Sequence, residues 1–132
     1  MRALVCCAIA AWLYDLTGAA SACSFSTADG EVLNGVDTRL AWKPIGRAVI
    51  AVSEDFAIDV RACPADTELL RVDATMPAHR HGMNYKPSIE TIGPGQWRVR
   101  GLLWHMRGRW ELSFETRRAG GSQTLRQSIE LP

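Results

Sequence analysis

The chain has 132 residues, 22% of them charged, with a formal net charge of +1, three histidines, four cysteines and four methionines. That length supports one domain at most. With no basic run and no acidic tail, the charge pattern argues against nucleic-acid binding, and the arginines at 98, 100, 107, 109, 117 and 118 read as a solvated strand face.

The chain opens with Arg2, a continuous apolar run over residues 3–14, and a small-x-small site at Ala20-Ser21-Ala22. This is the grammar of a secretory signal peptide over residues 1–22, with an apolar core too short to span a membrane stably. Export to the periplasm or the medium follows, with residues 23–132 as the single mature domain. That domain has about 110 residues, an ordinary size for one small core. Cys23 at the cut site has a second reading, lipidation and membrane anchoring, although the leucine usual three places upstream is replaced by Ala20. After cleavage only Cys23 and Cys63 remain. In an oxidising compartment they form one disulfide most simply, and metal ligation by lone thiolates is the weaker alternative because neither has a CxxC partner.

Beyond residue 23 no helical periodicity is visible. Short alternating or apolar runs are separated by Gly, Pro, Asp and Ser, which predicts strands over 38–42, 48–52, 56–61, 69–74, 86–92, 96–105, 110–116 and 124–131. Phe56, Ile58 and Val60 alternate with small or polar residues, as do Trp110, Leu112 and Phe114. The expected fold is all-β, an Ig-like antiparallel β-sandwich of about seven strands, with a closed barrel as the other option.

Gly93-Pro94-Gly95 marks a hairpin turn. With those residues as the loop, Glu90 faces Arg98, Ile89 faces Val99 and Thr91 faces Trp97, placing charges on one face and apolar groups on the other. Extended further, this register sets Tyr85 against Leu103 and Met83 against His105, or Met83 against Met106 if the loop has two residues.

That convergence matters because the segments MPAHRHGMNY (76–85) and WHMRGRW (104–110) hold every histidine and every methionine except the first residue. In an extended chain His79, His81 and Met83 share one side. His105 or Met106 then meets them from across the hairpin, since adjacent strand residues point opposite ways. Imidazole and thioether without carboxylate or thiolate favour copper over magnesium, calcium or manganese: Cu(I) suits the thioether and Cu(II) the imidazoles, while methionine is a poor zinc ligand. Met76-Pro77 reads as a strand end, Tyr85 as a core anchor, and Trp104 and Trp110 as core or rim aromatics. No GxSxG or HExxH motif is present, so the chain does not read as an enzyme.

The order of these motifs resembles the YtkA-like (FixH-related) exported domains: Met76-Pro77, His79 and His81, then Gly95, Trp97 and Gly101, then Trp104, Met106, Gly108 and Trp110, across roughly residues 45–116. Arg107 stands where the family pattern has proline. The resemblance implies an Ig-like β-sandwich in the periplasm or at the cell surface, linked to copper handling. The expected function is copper binding and delivery through His79, His81 and Met83 with His105 or Met106. The alternative is a metal-free module that docks an envelope or redox partner.

Overall fold

The structure is a computed structural model that describes residues 23–46 and 50–132. The signal peptide expected over residues 1–22 lies outside the described residues. Nine strands are present among them: β1 (Glu31–Asn34), β2 (Arg39–Pro44), β3 (Asp55–Cys63), β4 (Glu68–Met76), β5 (His81–Gly82), β6 (Ser88–Gly93), β7 (Gln96–Leu103), β8 (Gly108–Arg118) and β9 (Gly121–Leu131). All pair antiparallel, in one sheet of order β1-β2-β3-β7-β6 and a second of order β5-β4-β8-β9. With β1 set aside as an added edge, the remaining orders β2-β3-β7-β6 and β5-β4-β8-β9 reproduce the A-B-E-D and C′-C-F-G order of an immunoglobulin sandwich.

Period-2 patterning accounts for how the sheets face each other. In β8, Trp110, Leu112, Phe114 and Thr116 are buried, while the residues between them are at least partly exposed. In β3, Ile58, Val60 and Ala62 do the same. Together with Leu40, Val72, Val99 and Leu102 they form the core between the sheets. Each fully buried large apolar side chain contributes about 1.5–3 kcal/mol of transfer free energy, so this double layer is the main source of stability.

The hairpin register holds from Ser88↔Arg100 to Thr91↔Trp97, including Ile89↔Val99 and Glu90↔Arg98. At the tip it differs: Gly93 faces Gln96 and Ile92 bulges out, 45% exposed. The loop is therefore two residues, Pro94-Gly95. Gly95 has φ +62°, and a Cβ there would lie 2.8 Å from Ala65 Cα and 2.9 Å from the Ala62 carbonyl. Its own carbonyl accepts from Ala62 N–H at 2.8 Å, which docks the turn on the end of β3.

Four expectations need correcting. The strand over 48–52 is not formed at Ile50–Val52, and 47–49 lie outside the described residues. Ile50 and Val52 instead pack their apolar side chains on the core from a loop, where Ser53 N–H donates to the Trp104 carbonyl at 2.8 Å. The expected strand over 96–105 stops at Leu103. Tyr85 is 47% exposed rather than a core anchor, because β5 ends at Gly82 and the chain crosses between sheets before β6 begins. The strand count rises from about seven to nine because β5 has only two residues and β1 carries almost no alternation. Its place is set by pairing along β2, from Glu31↔Trp42 to Asn34↔Arg39.

The disulfide joins Cys23 to Cys63 across a separation of 40 residues, with Cα atoms 5.4 Å apart. A sulfur held in this bond cannot carry a lipid, so in this structure Cys23 is a covalent tether between the N-terminal segment and β3. Among the described residues no helix is long and apolar enough to cross a membrane.

Candidate metal centre

The end of the sandwich opposite the Pro94-Gly95 turn carries the three histidines. After β4 ends at the buried Met76, Pro77 starts a 3-10 turn (Pro77–His79), for which its fixed φ is already suited. Arg80 follows in the left-handed region at φ 53°, its N–H donating to the Pro77 carbonyl at 3.4 Å. The chain thereby reverses and lays β5 against β4, with Met76↔His81 and Thr75↔Gly82 paired. Gly82 allows this approach, since a Cβ there would come within 2.9 Å of the Ala74 carbonyl. The segment is thus a tight reversal rather than the extended i, i+2, i+4 stretch expected from its spacing. His79 sits exposed on the turn, and His81 is half-buried on the short strand.

The second segment arrives from the loop between β7 and β8. Trp104 is fully buried, His105 half-buried, and Met106 is 37% exposed. Trp110, fully buried on β8, donates its indole N–H to the Met106 carbonyl at 3.0 Å and fixes the loop's path. Gly108, at φ +114°, completes the fit: a Cβ there would lie 3.1 Å from Met76 Cε. Met76 thus has the structural role expected of it.

These two loops bring all three imidazoles into one row. Ring centres of His79 and His81 are 5.7 Å apart, and those of His81 and His105 are 5.2 Å apart, with planes tilted by 32° and 30°. Trp110 lies beneath, edge-on to His81 at 6.2 Å and to His105 at 5.4 Å. Trp104 stacks on Trp110 at 6.0 Å with 13° between planes, and Phe56 meets Trp104 edge-on at 5.0 Å. The His row therefore rests on an aromatic column that runs into the core.

The route to this meeting is not the one the hairpin suggested. The β6–β7 ladder ends at Ser88↔Arg100, and Gly101, at φ +77°, follows directly. His81 comes instead from the opposite sheet, through β5 on β4. Met83 continues that path: its N–H donates to the Ala74 carbonyl at 3.2 Å. Its side chain packs on the core beside a surface groove shared with Leu70, Val72, Tyr85 and Ile89. Trp110 is the site residue that sequence reasoning undervalued. The available signal was its six-residue spacing from Trp104, bracketing His105, but alternation alone could not tell a floor from ordinary core.

A ring nitrogen about 2.0–2.1 Å from an ion puts two imidazole centres on the order of 5 Å apart. The His81–His105 separation is of that size and the His79–His81 separation is somewhat wider. Among the described residues, no group of three or more His, Cys, Asp or Glu side chains is placed to hold a metal ion, the histidine row included. Neither segment, 76–85 or 104–110, contains a carboxylate; the charged neighbours Arg80, Arg107 and Arg109 are exposed arginines.

No family model, curated protein or solved structure matches this chain.

Proposed function

We propose that the protein is an exported, non-enzymatic copper-binding protein that holds and hands on copper in the bacterial envelope. The observation that carries this reading is the row His79–His81–His105 over Trp110. The ligands would be those imidazoles, with Met106, open to solvent at the same loop, supplying a thioether; Met83, first expected as a ligand, packs on the core instead. Neutral nitrogen and sulfur donors without carboxylates suit copper and disfavour magnesium and calcium. Open ligands without thiolate suit transfer to a partner. The disulfide is compatible with an oxidising compartment, and the resemblance of the motif order to YtkA-like domains points the same way.

Titration of the disulfide-bonded protein with Cu(I) and Cu(II), followed by tryptophan emission, tests it. Binding tighter than about 10 μM is expected, with quenching through the underlying Trp110. His81→Ala, which removes the middle ring, should weaken binding at least about tenfold, more than His79→Ala. A His79→Ala/His81→Ala variant that binds like the parent refutes the site. The metal-free docking module is the competing reading, favoured by the absence of a closed ligand set. It predicts no copper affinity in that range.

A further inference from the structure

β9 is a sheet edge: among the described residues its only ladder partner is β8. It is long, 11 residues, and its pairing runs without a bulge from Gly108↔Leu131 to Arg118↔Gly121. The other edges are protected by being short or irregular. β1 has four residues, β5 has two, and β6 ends in the Ile92 bulge followed by Pro94. Sheet edges that are long, regular and free of proline are the ones that recruit another strand.

The side chains of β9 also suit one particular recruit. Over residues 125–131 the sequence is Leu-Arg-Gln-Ser-Ile-Glu-Leu. Arg126, Ser128 and Glu130 are exposed on the outer face, Leu125 and Leu131 are buried, and Gln127 and Ile129 are half-buried on the inner face. Run antiparallel against itself about Ser128, the segment is self-complementary. Arg126, which pairs with Glu111 of its own β8 at 3.2 Å, also faces Glu130 of the second copy, Gln127 faces Ile129, and Leu125 lines up with Leu131. The strand's own neighbours extend the pattern: Arg109 faces Glu130 across the β8–β9 ladder, so signs alternate along the row Arg109, Glu130 and then Arg126 of the second copy. The edge is also held straight in advance. Gln127 Oε1 accepts from the Trp42 indole N–H at 2.7 Å, and Gln123 Oε1 accepts from Val36 N–H at 3.0 Å, tying β9 to the facing sheet through side chains.

We propose that β9 is a homodimerisation edge, pairing antiparallel with β9 of a second copy about a two-fold axis at Ser128. The two four-stranded sheets then become one of eight strands. The interface is isologous, as two-fold symmetry requires, and both Arg–Glu contacts form at once. This does not depend on copper.

Sedimentation equilibrium of the disulfide-bonded protein, metal-free, tests it. The mass should rise from one chain toward two between roughly 10 μM and 1 mM, the range for an interface near the small end of specific contacts. Arg126→Glu sets Glu against Glu130 of the second copy, and Glu130→Arg sets Arg against Arg126. Each alone should raise the dimer dissociation constant about tenfold or more. An equimolar mixture of the two variants should restore dimer, as a heterodimer. A parent that stays one chain throughout, single variants that dimerise like the parent, or a mixture that stays monomeric would each overturn the proposal.

Discussion

The two ends of the sandwich are built on opposite plans. At one end the chain is bound to itself by strong, specific links. Cys23 is bonded to Cys63, and Arg39 donates to the Cys23 carbonyl at 2.6 Å. Phe25 lies between the guanidinium groups of Arg39 and Arg61, each 5.6 Å from its ring centre. Arg118 pairs with Asp66 at 2.9 Å. At the other end, the three histidines ride on two loops whose paths are set mainly by aromatic packing and close glycine contacts. Chemistry committed to protein–protein bonds cannot also serve a ligand. The tethered end keeps its polar groups paired internally, and the histidine end leaves its imidazoles facing outward. If that division is right, damage to the tethered end lowers stability without touching metal uptake, and damage to the aromatic floor lowers both.

Trp110→Ala is the harshest test. The ring is fully buried, stacks on Trp104, holds the Met106 carbonyl and underlies His81 and His105. Its loss should cost about 3–5 kcal/mol of unfolding free energy, measured by urea denaturation. Copper affinity should fall with it at temperatures where the variant is still folded. Trp110→Phe keeps a floor but no indole N–H, so it should recover much of the stability and leave the His105 loop less well held. A Trp110→Ala protein with full copper affinity would break the link between floor and site.

Removal of the disulfide acts at the other end. Closing a loop of 40 residues contributes about 3–4 kcal/mol in the chain-entropy picture. Cys23→Ser/Cys63→Ser should lose that much in denaturant while retaining the parent's copper titration curve. A large loss of copper affinity in this variant, under conditions where it remains folded, would mean that the ends are coupled and the division is false.

The sequence is unequally informative about these two ends. The strands of the core were legible because alternation survives wherever one face is buried, as in Trp110, Leu112 and Phe114. The β6–β7 register was legible because Glu90, Ile89 and Thr91 have matching residues opposite. The cysteine pair was legible by elimination. The strand β1 was hidden because Glu31–Asn34 has no buried alternation, and the loop at Ile50–Val52 mimicked a strand because its apolar residues face the core without a ladder. At the site, the residue types were readable but the geometry was not. A left-handed Arg80 and a close-packed Gly82 turn the 76–83 segment back on β4, and no periodicity rule signals a left-handed arginine. The three imidazoles meet all the same, by a route through the opposite sheet.

The smallest effect concerns acid. Arg118, hydrogen-bonded to Asp66, holds that carboxyl below its ordinary value of 3.8. The N–H and Oγ–H of Ser26 do the same for Asp29, helped by Arg61. A carboxyl depressed in the folded state adds stability that is present above its unfolded value and is lost as pH falls through the lower folded one. The expected loss therefore lies below about pH 4, where unfolded carboxylates take up protons that the folded ones refuse. Asp66 is exposed and Asp29 half-buried at the surface, so the contribution is slight and screened by salt. Asp66→Asn and Asp29→Asn should each flatten the acid limb of the stability curve a little and leave the neutral region almost unchanged. Neither substitution touches the histidine end, so neither should move the copper titration curve. If either substitution weakens copper uptake as well, the two ends are one cooperative unit and the contrast between them does not hold.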